Sequence, residues 1–405
     1  MSNNQIQTNP PQAAPSQDLL NTKLNIPTSQ PSKGKIAGIT IGVLLLLAAI
    51  GIAVYLLLKS KDEDKGVNWL AVGDGKYQIL SSEDGIVWNK TNYIFGKEVN
   101  AVAYGMDDIG QTLWVAATEK DDDQDTNLIY SNDGNNWFTG AGTSFDKSGK
   151  GVAYGLSSDD TTKIWVAVGD NTNKKNILFS TDGQSWTEAT GTTFTGKINS
   201  VAYGLSSNGI AGKWIAVGDG ASIFSSLDGQ TWKSVAAPTG QTSSVDFESV
   251  AFGISSDNTN VWVATGSSTG HSFIYSNTGG DFWKEDTTKP FSTTGKGVAF
   301  GLSSNGASIW VGVGEGDDKI KHSSNVKTWV SSTGIKFNKE GNGVAYGNHI
   351  WVAVGDGSGN EILYSKDGQS WKATSGETHN GKGNGVASKY LNPSLESKSS
   401  KLFPS

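Results

Sequence analysis

A closed ring of seven four-stranded sheets, an all-β propeller preceded by one transmembrane helix, is the architecture this sequence predicts. Three observations carry the ring. A phrase containing Trp recurs seven times: WLAVG at 69–73, LWVAA at 113–117, IWVAV at 164–168, KWIAV at 213–217, VWVAT at 261–265, IWVGV at 309–313 and IWVAV at 350–354. A second Trp-bearing phrase follows each one, from ILSSEDGIVW at 79–88 to ILYSKDGQSW at 362–371, so two positions over seven repeats account for all 14 Trp. A third phrase, VNAVAYG at 99–105 and its relatives, also occurs seven times, the last shortened to GNGVAS at 383–388.

Each phrase is short, apolar and rich in β-branched and aromatic residues, and each ends in Gly, Asp, Asn or Ser. That is the pattern of strands separated by tight turns. One repeat therefore reads as four strands: V-A-Y-G, then W-V-A-V-G, then I-L-Y-S, then a strand carrying the second Trp. A D-G turn links the third and fourth. A unit of about 46 residues with four strands has the length of a propeller blade. A β-solenoid fits less well, because its rungs are shorter and its ends need not match. Here they match. The first repeat begins at its second strand, Trp69, and the last stops after its first strand, near Ser388. Closing the ring pairs Gly385–Ser388 with Trp69–Gly73 and removes two exposed sheet edges.

Ahead of the repeats the composition changes. Residues 1–35 hold five of the nine Pro and almost no aromatic residues. Such a segment cannot offset its ordering entropy by burial and reads as a disordered tail. Ile36–Leu58 is an uncharged apolar run of 23 residues. As a helix it is long enough for the roughly 30 Å hydrocarbon layer, with some tilt. Residues 59–66 form a juxtamembrane linker, 67–390 the propeller and 391–405 a flexible C-terminal tail. Lys23, Lys33 and Lys35 precede the run and Lys59, Lys61 and Lys65 follow it, so the positive-inside count is balanced. The short leading segment favours a single-pass anchor with the propeller outside the cytoplasm, in a cell envelope or a virion membrane.

Composition excludes several chemistries. The chain has no Cys, so it has no disulfide framework and no thiolate site. All 32 residues counted as Lys or Arg are Lys, so there is no guanidinium clamp for a carboxylate or phosphate. A net charge of −7 argues against nucleic acid as a partner.

The second Trp phrase carries a motif. Ser82–Trp88, Ser131–Trp137, Ser180–Trp186, Ser226–Trp232 and Ser365–Trp371 read S-x-D-G-x-x-W. The fifth repeat has Thr278-Gly279 in place of Asp-Gly, and the sixth has Asn325-Val326-Lys327. The phrase resembles the Asp-box repeat of sialidase-like (BNR) and photosystem II assembly-factor-like propellers, one residue shorter than the usual form. The resemblance implies a propeller, and it implies that Asp84, Asp133, Asp182, Asp228 and Asp367 are structural turn residues. Turn chemistry agrees, since an Asp side chain accepts from turn amides and Gly supplies positive φ. Sialidases of this type hold their substrate's carboxylate with three arginines. This chain has none, so the expectation is a non-enzyme with no catalytic residue, cofactor or metal. His271, His322, His349 and His379 show no metal-ligand spacing and read as surface or turn residues. The acidic run at 121–125 lacks the Gly and the final acid of a calcium loop and reads as a solvated insertion.

Stacking the repeats yields two rings at one face. The residue two before V-A-Y is Asn100, Lys150, Asn199, Glu248, Lys296, Asn342 or Asn384. The residue after W-V-A-V-G is Asp74, Glu119, Asp170, Asp219, Ser267, Glu315 or Asp356. The first ring is expected to line the channel mouth as a binding surface. The second is expected farther out, as an acidic ring favouring a cationic partner. Hairpin turns and a wet channel mouth would produce both patterns without any ligand. The best functional reading is a membrane-anchored binding scaffold for a protein or glycan partner. The alternatives are a carbohydrate-binding or glycoside-hydrolase-like protein and an assembly factor for a membrane complex.

Overall fold

The computed structural model describes residues 66–403, apart from 93–95, 121–125, 195, 239–244, 268–271, 287–289 and 358. The apolar run 36–58, His271 and the acidic insertion 121–125 lie outside the described residues. The chain divides into two compact units, 1–64 and 65–405, and every described residue belongs to the second. Among the described residues no helix is long and apolar enough to cross a membrane.

The second unit is a seven-bladed propeller. Blade 1 runs Val99–Met106, Thr112–Thr118, Leu128–Ser131, Phe138–Thr139 from the channel outward, and the other blades repeat this order. The second strands are buried along nearly their whole length, for example Gly212–Gly218 and Trp69–Gly73. A neighbouring blade covers each face of such a strand, which is why W-V-A-V-G is continuously apolar rather than alternating. The seven Trp of these strands are at most 2 % exposed.

The blades lock together through a repeated contact. In the first strands, Tyr104, Tyr154, Tyr203, Phe252, Phe300 and Tyr346 sit opposite the Trp of the second strands. Their ring centroids lie 4.7 to 5.3 Å from those Trp rings. The same aromatic ring presses on the glycine of the preceding blade. A Cβ at Gly105, Gly155, Gly204, Gly253 or Gly301 would lie less than 3.0 Å from the ring of Tyr154, Tyr203, Phe252, Phe300 or Tyr346 respectively. The glycine of V-A-Y-G is therefore a seat for the next blade. Four Trp indoles add a hydrogen bond across the same seam. Trp165, Trp214, Trp262 and Trp351 donate to the carbonyls of Met106, Leu156, Leu205 and Leu302 at 2.8 to 3.2 Å.

Among the described residues four of the seven sheets gain a fifth strand beyond the four that the repeat predicts. Ala141–Gly142, Thr190–Gly191, Thr333–Gly334 and Ser375–Gly376 each pair in parallel with the outer strand of the next blade. Each glycine has positive φ, between 84° and 115°. Each lies against the backbone of the outer-strand Trp, where a Cβ would not fit.

Ring closure is as expected. Trp69 pairs with Ser388, Leu70 with Ala387, Ala71 with Val386 and Val72 with Gly385. The closing seam departs from the rest because Ser388 stands where other blades carry Tyr or Phe. His379 adds to it. Its Nδ1–H donates to the Tyr77 carbonyl at 2.7 Å, and the ring is fully buried. The surface position expected for this residue is thus corrected. Burial pulls its pKa down to about 4, against the milder upward pull of that bond and of Asp74.

The flexible C-terminal tail is also corrected. Residues Pro393–Lys398 form a 3-10 turn and Ser399–Leu402 a short helix, laid over the channel end opposite the rings. Leu395 and Leu402 are buried, and Phe403 packs on Tyr104 and Tyr154. The Tyr154 hydroxyl donates to the Leu402 carbonyl at 2.9 Å, and Lys398 and Lys401 both pair with Asp160. Three apolar anchors and two ion pairs are enough to order a segment this short.

Two predictions follow from the closing blade. Truncation after Lys382 removes its inner strand and should abolish cooperative folding. Truncation after Leu391 removes only the channel plug and should lower Tm by several degrees. Circular dichroism melts of both check this, and equal stability would refute the shared blade. The second prediction concerns pH. A His with a depressed folded pKa stabilises the fold while neutral. That stability is complete above the unfolded value near 6.5 and is lost as pH falls toward about 4. His379→Asn can keep the donor to Tyr77, so urea midpoints of this variant should fall less between those two pH values.

Candidate functional site

The channel mouth is built from the starts of the seven first strands. Its collar is the expected ring, and all seven residues line one opening together with Glu98, Glu340 and Lys382. Inside the collar lies a neck of Ala101, Gly151, Ser200, Ser249, Gly297, Gly343 and Gly385, followed by six Val. The neck residues are small because adjacent first strands nearly touch there. A Cβ at Gly343 would stand 2.8 Å from the Asn384 carbonyl, and one at Gly385 3.0 Å from that of Asn100. The space within collar and neck is about 200 Å³.

The ring divides into two kinds of residue. Its four Asn are clasps between blades. Asn100, Asn199, Asn342 and Asn384 each donate to a backbone carbonyl of the next blade: Gly149, Phe247, Gly383 and Val99, at 2.8 to 3.0 Å. In every case that carbonyl belongs to the residue preceding the next ring member. Lys150, Glu248 and Lys296 replace the clasp with charge. The expectation that all seven form one binding surface is narrowed accordingly, since four amides are committed to the fold.

The acidic ring is corrected more strongly. Its members are largely neutralised by Lys from the strand approaching the mouth. Lys150 meets Glu119 at 2.7 Å, Lys147 meets Asp170 at 3.4 Å and Lys197 meets Asp219 at 3.4 Å. Lys339 meets Asp356 at 3.0 Å, and Lys296 meets both Glu315 at 2.9 Å and Glu340 at 2.6 Å. Asp74 instead accepts from the Gly75 amide. The alternation of Lys and acid was present in the sequence, but its partners lie in different strands of the repeat and show only when the strands are paired.

Glu248 is the exception. Its carboxylate has no hydrogen bond or ion pair among the described residues. Burial raises its pKa, and Asp219 and Asp246 add to the rise. Lys296 and Lys197 pull the other way from beyond ion-pair distance.

On the opposite face the S-x-D-G turns share one geometry. Asp84 Oδ1 accepts from the amides of Ile86 and Val87 at 2.8 Å, while the Ser82 hydroxyl accepts from the Gly85 amide at 2.9 Å. Asp133, Asp182, Asp228 and Asp367 repeat this at 2.7 to 2.8 Å. Burial opposes ionisation of these carboxyls, but the amides and the Ser hydroxyl prevail and hold them below the ordinary carboxylate value. The sixth repeat keeps the turn with Asn325 Oδ1 as acceptor, at 3.0 and 2.9 Å, although Val326 is forced to a φ of 59°. All five Asp carboxylates are thus held by amides of their own turns.

Other candidates do not converge on a site. His322 is half-buried in an outer groove of blade 5, its Nδ1 3.1 Å from the Ser332 hydroxyl. Among the described residues no cluster of His, Asp or Glu could hold a metal ion.

No family model matches the chain, and no curated protein matches it in sequence. Solved structures resemble it in fold. YCF48 bound to a D1 peptide is 16 % identical, over 76 % of this chain and 85 % of that one, with a TM-score of 0.43. YCF48 from Cyanidioschyzon merolae is 16 % identical over 71 % and 88 %, with a TM-score of 0.45. The nidogen/laminin complex is 10 % identical over 80 % and 100 %, with a TM-score of 0.42.

The turns supply an acid-range prediction. A carboxyl with a depressed folded pKa stabilises the fold above its unfolded value, near 4, and the contribution is lost as pH falls through the lower folded value. Asp182→Ala should cost about 2 kcal/mol at neutral pH, because two amides lose a charged acceptor. Asp182→Asn keeps an acceptor, as Asn325 does, and should cost less. Urea unfolding at pH 7 and pH 3 should show that either variant loses less stability on acidification than the parent.

Proposed function

We propose that this chain is a non-enzymatic, membrane-anchored binding scaffold that engages a partner polypeptide at the channel mouth. The observation that carries the reading is where the repeat breaks. Four ring positions keep an Asn that clasps blades, whereas the other three place Lys150, Glu248 and Lys296 around one open funnel. A purely structural ring would keep the clasp throughout. The opposite end of the channel is covered by residues of its own C-terminus, so the charged departures gather at the accessible mouth. The anchor rests on the apolar run 36–58 and on nothing in the described residues. Val67 packs on the Asp-box turn of blade 1 at Gly134, and Asn68 donates to Glu83 in another such turn, so the propeller's first described residues lie on the face away from the funnel. Assignment to the Asp-box type belongs to the same proposal and is supported by the shared turn geometry.

The test is co-purification of the full chain in detergent from its native membrane. A stoichiometric protein partner should be retained by the parent and by Phe282→Ser on the Asp-box face. It should be lost from the triple variant Lys150→Gln, Glu248→Gln, Lys296→Gln, provided that variant melts within a few degrees of the parent. Capture unaffected by the triple variant would overturn the reading. Glycan-array binding that the triple variant abolishes would transfer the same site to a lectin.

A further inference from the structure

The funnel reading leaves open what chemistry it selects, and the charge pattern around Glu248 answers that. Glu248 lines both the collar and the space inside it. Its charged neighbours are Asp219, Asp246, Lys197 and Lys296. Both lysines are already engaged: Lys197 with Asp219 at 3.4 Å, Lys296 with Glu340 at 2.6 Å and Glu315 at 2.9 Å. Asp246 accepts from the Gly220 amide at 3.0 Å. The other collar cations are likewise paired, Lys150 with Glu119 at 2.7 Å and Lys382 with Glu98 at 2.6 Å. The collar therefore pairs each of its lysines and leaves one carboxylate over.

We propose that Glu248 is the receptor for the cationic tip of a basic side chain, which a partner polypeptide inserts into the funnel. This rests on the binding-scaffold reading above and specifies its ligand. An unpaired carboxylate in a partly buried position is costly, and an incoming ammonium would remove that cost while gaining a charge-assisted bond. An anion would meet lysines that are already neutralised and a carboxylate that is not. The space below is small, about 200 Å³, and floored by valines, so a single charged group can seat there while the polypeptide backbone stays outside. Specificity would come from the mismatch: a neutral side chain of equal length leaves Glu248 buried and unpaired.

The probe is Nα-acetyl-lysine methylamide, titrated by saturation-transfer NMR against the full chain in detergent. The parent should bind it weakly but saturably. Glu248→Gln should weaken it at least tenfold, and Glu248→Asp by less. The Nζ-acetylated probe should bind at least tenfold less well to the parent. Absence of saturable binding, equal binding of the neutral probe or parent-like affinity in Glu248→Gln would each overturn the proposal. Melts of both variants guard against misfolding. The two readings fail separately. Partner capture that survives Glu248→Gln but is lost from the triple variant sinks the cation site and leaves the scaffold standing.

Discussion

The fold depends on one contact, repeated at five of the seven seams: an aromatic ring of one blade seated on a glycine of the blade before it. It fixes the distance between blades, because the ring leaves no room for a Cβ at the glycine. It fixes their order, because the ring belongs to the strand paired with the buried Trp. It also explains two compositional extremes together. Glycine supplies the seat and the inner Trp of the blade the backing, so the two recur together around the ring. The indole bonds to carbonyls across four seams add direction to a contact that burial alone would leave free to slide.

Blade spacing then determines the funnel. Seven first strands brought this close leave room only for Ala, Ser or Gly at the neck, and they bring each ring residue within reach of a carbonyl on the next blade. Asn is the residue that uses such a carbonyl. The polar collar is therefore first a consequence of packing, and only secondarily a surface. That ordering gives Lys150, Glu248 and Lys296 their meaning, since each forgoes an available clasp. The lysines and acids around them make the mouth strongly polar with most of its charges paired, which limits long-range attraction and favours recognition at contact.

Much of this was legible in the repeats. The seven blades, the shared closing blade, the S-x-D-G turns and the collar positions follow from phrases that recur. What did not recur was misread. The strand dipeptides such as Thr190–Gly191 were missed because two residues carry no periodicity, although a Thr-Gly or Ser-Gly after the second Trp was a usable signal. The C-terminal plug reads as a tail in sequence because its anchors Leu395, Leu402 and Phe403 sit among Ser and Lys, and only the channel end offers them a surface on which to bury. His379 appeared once and so seemed incidental, yet singular residues belong at the singular seam. The acidic ring reads as unpaired because its lysines precede it by some 17 to 23 residues or follow it by 31, and pairing of strands alone brings them together.

The shared closing blade has a mechanical consequence. Trp69 and Ser388 are opposite each other at one end of an antiparallel pair. Tension between the two chain ends would pull that pair apart one hydrogen bond at a time, the geometry in which sheets resist least. The segment after Ser388 alters this. By docking on blades 1, 2 and 4 it carries load into the ring before the strand pair feels it. The plug thus acts as strain relief, as the clamp on a cable spares the joint beneath it.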